Sequence, residues 1–159
     1  TRMRDTAFKR TLAAMAPGTA MKVDGPFGEL ALPESADRDI VFLAGGIGIT
    51  PFYAMSRYAA AHALPHRIAL FYANRTPEGA AFLSELAELP NPNFTFVPTM
   101  TAVDAVWSGE RGRIDAALLA RHLHEPVHPL YYLAGPMNMV SALRRVLNGN
   151  GFKVSESRT

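Results

Sequence analysis

The sequence predicts an α/β fold: three αβα layers built on a five-stranded parallel sheet, preceded by a short helix–strand segment. Two observations carry this. Short apolar runs of the kind buried on both faces recur at Ile40 to Ala44, Arg67 to Ala73, Phe94 to Val97, Leu130 to Ala134 and Phe152 to Val154. Stretches of helical periodicity alternate with them, and strands separated by helices must pair in parallel through crossovers.

Asp5 to Met15 reads as a helix, because Phe8, Leu12 and Met15 recur at helical spacing and Asp5 or Thr6 can cap the first turn. Pro17-Gly18 ends it. Ala20 to Val23 alternates like a short strand, and Gly25-Pro26-Phe27-Gly28 breaks it. The polar stretch Leu30 to Asp39, with Pro33, marks a boundary. After the first buried strand, Pro51 to Ala63 is helical, with Phe52, Met55 and Tyr58-Ala59 on one side. Glu78 to Leu89 carries the stripe Phe82, Leu83, Leu86 and Leu89. Ile114 to Leu123 is a third helix of this region, with Asp115 near its start, and Met137 to Leu147 a fourth, ended by Asn148-Gly149.

Composition narrows the function. The chain has 159 residues, long enough for one continuous core, and its 48% hydrophobic content excludes a disordered tail. Without cysteine it has no disulfide, thiol nucleophile, cysteine-ligated zinc or cysteine-ligated iron–sulfur cluster of its own. A formal charge of +2 with no basic run points away from nucleic acid. The apolar runs are far shorter than a membrane span, and no signal peptide is visible, so a cytoplasmic location is expected. The chain starts at Thr1 rather than Met, and the expectation is a piece of a longer protein.

Parallel α/β sheets bind ligands beyond the carboxyl ends of their strands. The first strand runs into Gly45-Gly46-Ile47-Gly48-Ile49-Thr50-Pro51. Glycines permit a tight turn and close main-chain approach, and Pro51 suits a first helical turn. The new helix then offers free N–H groups and its positive dipole end, a diphosphate surface made without lysine. A glycine-rich turn with no ligand is the plain alternative. The pattern is neither G-x-G-x-x-G nor a phosphate loop ending in G-K-[ST]. The fourth strand ends in a second such turn, Gly135-Pro136-Met137-Asn138. The second ends in Asn74-Arg75-Thr76-Pro77, where an adenine ribose would fall. Arg75 could meet a 2′-phosphate there and Asn74 a ribose hydroxyl; a solvated surface arginine is the plain reading. The third strand ends in Thr99-Met100-Thr101, polar enough to line the same crevice.

At these residues the chain resembles the NAD(P)H-binding domain of the ferredoxin–NADP reductase-like family. The likeness covers Gly45 to Pro51, Tyr72 to Pro77 with Phe82 to Leu86, Thr99 to Thr101, Trp107 to Ile114 and Ala134 to Pro136. It extends to Phe8 to Gly18 and Gly25 to Gly28, which look like the last helix and strand of that family's flavin-binding barrel. The resemblance implies residues 1–33 as a barrel remnant and 40–159 as the NAD(P)H-binding domain. It implies hydride transfer from NAD(P)H to FAD (or FMN), with electrons passed on to an acceptor protein or domain. It assigns coenzyme binding to Gly45, Gly46, Ile47, Gly48, Ile49, Thr50, Pro51, Asn74, Arg75, Thr76, Met100, Thr101, Gly135, Pro136, Met137 and Asn138, with no catalytic side chain and no metal. Flavin would bind only with a complete upstream barrel, since the arginine–aromatic–serine motif that holds it is not in this chain. Ala134 stands where the family often has Cys. The family's closing aromatic residue is also missing from Ser155 to Thr159.

Other residues carry less. His122, His124 and His128 are grouped, but His122 lies at a helix end before Pro126, so surface histidines are expected there rather than a metal site. Ser84 and Ser141 lack visible His/Asp partners, and Trp107 reads as a packing residue. The alternative function is a non-catalytic nucleotide-binding or regulatory module lacking a flavin site.

Overall fold

The computed structural model describes residues 5–25, 27, 30–123 and 129–149, together with the backbone of Ser157–Arg158. In chain order the elements are α1 (Ala7–Ala14), β1 (Ile40–Gly45), α2 (Ile49–Ala61), β2 (Ile68–Asn74), α3 (Leu83–Ala87), β3 (Phe94–Met100), β4 (Glu110–Arg111), α4 (Ala116–His122), β5 (Leu130–Ala134), α5 (Met137–Gly149) and β6 (Ser157–Arg158). All strands are parallel, in the order β4-β3-β2-β1-β5-β6. Successive strands run outward from β1 in one direction as far as β4. The chain then returns to the other side of β1 for β5 and β6. The reversal of strand order therefore lies between β1 and β5, side by side from Ile40↔Leu130 to Ala44↔Ala134.

The strand periodicity sorts the core onto two faces. Ile40, Phe42 and Ala44 of β1 point to one side, with Leu70, Tyr72 and Tyr132; α2 covers them with Ile49, Phe52, Met55 and Ala59, and α3 adds Leu86. Val41 and Leu43 point to the other side, with Phe71, Val97, Tyr131 and Leu133; α4 supplies Leu118 and Leu119, and α5 supplies Val140, Leu143 and Leu147. This is the expected three-layer arrangement, and it explains why β1 reads as an unbroken apolar run: every one of its residues is buried. Burial on both faces pushes the Tyr131 hydroxyl up to about 12, because the phenolate has no water to solvate it.

Three local features depart from simple periodicity. The expected helix from Glu78 splits into a single 3₁₀ turn, Pro77–Gly79, and the short α3. Phe82 is the cause: it takes a left-handed conformation (φ 60°) and stacks its ring on Tyr53 of α2, with centroids 4.0 Å apart. That aromatic contact offsets the backbone cost of breaking the helix. Glu110–Arg111 forms a two-residue strand beside β3 that no apolar run announces. Ala20 to Val23 is in no strand, since an isolated extended segment has nothing to pair with. The expected strand Phe152 to Val154 lies outside the described residues; β6, a few residues later, pairs with β5.

The start of the chain behaves differently from the sheet. α1 is capped by the Thr6 hydroxyl, which accepts from the Lys9 N–H, yet it buries no residue. Phe8, Val23 and Phe27 are exposed, Phe27 at 86%. Docking begins at Leu30 and Leu32, which pack against the α2 face. Tyr132 donates to the Ala31 carbonyl at 2.8 Å, and a ring nitrogen of His66 lies 2.9 Å from the Pro33 carbonyl.

Candidate functional site

The turns that follow β1 and β5 are pressed together at the switch in strand order. A methyl group placed on Gly48 would sit 2.4 Å from the Ala134 carbonyl oxygen and 2.6 Å from the Gly135 nitrogen. One on Gly135 would meet the Gly45 carbonyl oxygen at 3.0 Å. Part of the glycine pattern therefore serves contact between two backbones rather than contact with a ligand. Gly46 is different. Its φ is +53°, a conformation side chains disfavour, and nothing lies within 4 Å of where a Cβ would stand. That open space faces the cleft.

The cleft beside the turns measures about 590 Å³, within the range of small-molecule sites. It runs from Gly45, Gly46 and Pro136 across the ends of β2 and β3 to Arg113 and Ile114, ahead of α4. One wall is α5, which presents Asn138, Ala142 and Arg145 at i, i+4 and i+7. α2 begins beside the cleft with Gly48 as its N-cap residue and no side-chain cap; a 3₁₀ turn over Gly46–Gly48 leads into it and takes up the Ile49 N–H through the Gly46 carbonyl, while the positive end of the helix dipole still points at the turn. Pro51 falls in that first turn, where a missing N–H costs nothing.

The floor is tied together by main-chain bonds. The Asn74 carbonyl accepts from the Thr101 N–H at 3.0 Å and from the Thr101 hydroxyl at 3.3 Å, and the Arg75 carbonyl accepts from Ala102 N–H at 2.8 Å. The Asn74 side-chain amide nitrogen is buried and has no acceptor among the described residues. Its neighbour Tyr72 has its hydroxyl pushed above the usual tyrosine range by burial, with the polar groups of Asn74 and the Ala81 main chain opposing the shift.

The far wall is braced separately. The Trp107 ring lies where a side chain on Gly109 would otherwise be, and its N–H donates to the Glu110 carbonyl at 2.9 Å. Arg111 donates to the Trp107 carbonyl at 2.6 Å, and Thr99 to that of Gly112 at 2.9 Å. Glu110 receives Arg121 and His122, each at 2.7 Å, and these hydrogen bonds, Arg121 first, hold its carboxyl below the usual range. Asp115 caps α4 by accepting from Leu118 N–H at 2.8 Å. These contacts fix the segment carrying Arg113.

Of the residues assigned from sequence, Gly45, Gly46, Asn74, Arg75, Thr101, Pro136 and Asn138 line the cleft together. Gly48 and Gly135 shape the turns behind it. Ile47 and Met137 are exposed at the two turns, Met137 at 80%. Thr50 spends its hydroxyl on the Ile47 carbonyl at 3.1 Å, and Thr76 hydrogen-bonds Glu78. Ile49 and Met100 are buried in the core, Met100 at 1% exposure. Sequence reasoning missed Arg113, Ile114, Met139, Ala142, Leu143 and Arg145. The signal for the α5 residues was available, since Asn138, Ala142 and Arg145 share one helical face. Arg113 lies in the stretch Trp107 to Ile114 that carries the family likeness, which gives it no individual role. Among the described residues no group of three or more His, Asp or Glu is placed to hold a metal ion. No described helix is long and apolar enough to cross a membrane.

Comparison with known proteins gives a consistent picture. Residues 42–145 match the family described as the oxidoreductase NAD-binding domain. An NADH-cytochrome b5 reductase 1 of Eremothecium gossypii is 30% identical over 92% of this chain and 53% of its own length. The reductase component of the propane 2-monooxygenase of Rhodococcus jostii is 27% identical over 84% of this chain and 38% of its own. The solved cytochrome b5 reductase domain of Ulva prolifera nitrate reductase superposes with a TM-score of 0.79 at 27% identity, covering 96% of this chain and 64% of that one. The chain thus spans about half, or less, of the curated relatives named here.

Proposed function

Since this chain belongs to the oxidoreductase NAD-binding domain family, we propose that it is the NAD(P)H-binding part of a flavin-dependent reductase, delivering hydride to FAD (or FMN) and electrons onward to an acceptor protein or domain. The observation that carries the reading is the meeting of two glycine turns at the switch in strand order, beside a cleft of about 590 Å³.

The residues present fit a dinucleotide. The open space at Gly46 and the uncapped start of α2 suit a diphosphate, which needs main-chain donors and a positive dipole end. Asn74 lines the cleft at the end of β2, where a ribose hydroxyl would fall. Pro136 and Asn138 close the other side. The coenzyme supplies the hydride chemistry. This chain's contribution is to orient it and to exclude alternatives by shape. Exposed Ile47 and Met137 flank the two turns and offer an apolar rim to a flavin-bearing domain. Residues 1–33 fit the end of such a domain, because α1 and Phe27 are left uncovered here. Residues 40–159 are then the coenzyme domain, with Leu30 and Leu32 docking the junction. A soluble dinucleotide as partner accords with a cytoplasmic setting.

The test uses the protein encoded by the complete reading frame. It should be yellow, and the colour should bleach under argon on adding NADH or NADPH. Colourless protein that still binds coenzyme would instead support a non-catalytic module. Protein that binds neither coenzyme would overturn both readings.

A further inference from the structure

The connection between α1 and β1 changes character at Leu30. Before it, α1 buries no residue and Phe27 is exposed. From Leu30 to Pro33 both side chains and main chain are taken up by the sheet domain. Leu30 and Leu32 pack against the apolar face that α2 covers. The carbonyls of Ala31 and Pro33 meet Tyr132 and His66, at 2.8 and 2.9 Å. That alternation has the period of an extended chain, in which residues two apart face the same way.

The two donors are buried side chains, not surface groups. Tyr132 is held in β5 opposite Phe42 of β1, and its ring meets Phe42 edge-on. Only a protonated ring nitrogen of His66 can serve a carbonyl, and the other ring nitrogen has no partner among the described residues. Read back from β1, the linker passes His66, two residues before β2 begins, and then Tyr132, in the middle of β5. Tyr132 stands three residues before Gly135, so roughly 10 Å of one strand joins the linker contact to the turn at the switch in strand order.

We infer that His66 and Tyr132 are positioning residues for hydride delivery: they clamp Leu30 to Pro33 on the sheet and so fix the orientation of the preceding domain to the coenzyme cleft. This role rests on the reading of the chain as the coenzyme part of a flavin-dependent reductase. Neither residue lines the cleft, so neither acts by touching the coenzyme. A linker held by the two leucines alone is free to slide, because apolar attraction has no direction. Two directed bonds to main-chain carbonyls set its register.

The experiment compares Tyr132→Phe, His66→Leu and the double variant with wild type in two settings. In this chain alone, amide order parameters report the linker and calorimetry reports coenzyme affinity. The amides of Ala31, Leu32 and Glu34 should show order parameters of about 0.85 in wild type and below about 0.6 in the double variant. Affinity for NADH and NADPH should stay within about 2-fold, since the cleft is untouched. In the protein encoded by the complete reading frame, flavin bleaching at saturating coenzyme should slow roughly 10- to 100-fold in the double variant, with the half-saturating coenzyme concentration unchanged. His66→Gln keeps a side-chain N–H donor and should recover most of the rate that His66→Leu loses. Leu119→Ala, in the core on the other face, should lower the melting temperature and leave the saturated rate unchanged. A linker as ordered in the double variant as in wild type would overturn the clamp. A mobile linker with an unchanged saturated rate, or a rate loss matched by Leu119→Ala, would overturn the positioning role and leave the coenzyme reading intact. A complete protein that is colourless would overturn the reductase reading and the positioning role with it, while the order parameters would still decide the clamp.

Discussion

Substituting Gly48 by alanine tests whether the two turns are mechanically one unit. The new methyl would stand 2.4 Å from the Ala134 carbonyl oxygen and 2.6 Å from the Gly135 nitrogen. Both are backbone atoms of the β5 end, so no rotamer change relieves the clash. Reaching ordinary contact requires the turns to separate by about 1 Å. Overpacking of this kind costs about 1–3 kcal/mol, which for a domain of this size lowers the melting temperature by roughly 3–10 °C. A displacement of about 1 Å at a positioning element also slows chemistry by about 100-fold, read as the rate of flavin bleaching in the complete protein. Gly46→Ala is the matched control. It carries a left-handed backbone cost of about 1 kcal/mol but meets no protein atom within 4 Å, so it should melt closer to wild type while weakening coenzyme binding by intruding on the cleft. Scanning calorimetry and coenzyme titration of the two variants separate these effects. If Gly48→Ala melts within a degree of wild type, the turns are not in the contact described and the reasoning fails.

Arg75→Ala should weaken NADPH binding by about 1–3 kcal/mol and spare NADH, because a charge-assisted contact is removed; equal weakening of both would refute that role. Glu110 is held below its ordinary value by Arg121 and His122. Its contribution to stability is therefore complete above the unfolded carboxylate value of about 4.3 and is lost as pH falls through the lower folded value. Melting temperature against pH should show a shallower acid limb in Glu110→Gln, and an unchanged limb would contradict the pairing. Phe42 stacks on Phe52 at 4.5 Å and meets Tyr132 edge-on at 5.3 Å. Phe42→Ala should cost about 3–5 kcal/mol in a denaturant titration, and a loss under about 1 kcal/mol would mean the pocket collapses around the change.

The parts of this protein legible in its sequence are those set by local rules. The runs at Ile40, Ile68 and Leu130 announce buried parallel strands because both faces must be apolar, and Asp115 announces the start of α4 because its side chain satisfies an orphan N–H. What was not legible depends on distant contacts. Phe82 breaks its helix for a ring on α2, and Glu110–Arg111 becomes a strand because β3 offers a free edge. Met100 follows a strand into the core although its neighbours Thr99 and Thr101 look like a polar crevice. The glycine turn was legible as a close-approach device, but not that Gly48 serves the neighbouring turn and Gly46 the cleft. Arg113 and Arg145 are far apart in sequence, and only the sheet order brings them to one cavity.

Titrating isotopically labelled chain with NADPH, followed by amide resonances, tests the core claim most directly. The account predicts that the N–H signals of Gly46, Ile47, Gly48 and Thr50, and those of Gly135, Met137 and Asn138, shift together and saturate at one stoichiometric equivalent. Saturating coenzyme that leaves these amides unmoved, or moves only residues on the opposite end of the sheet around Asp39 and Arg67, would contradict it.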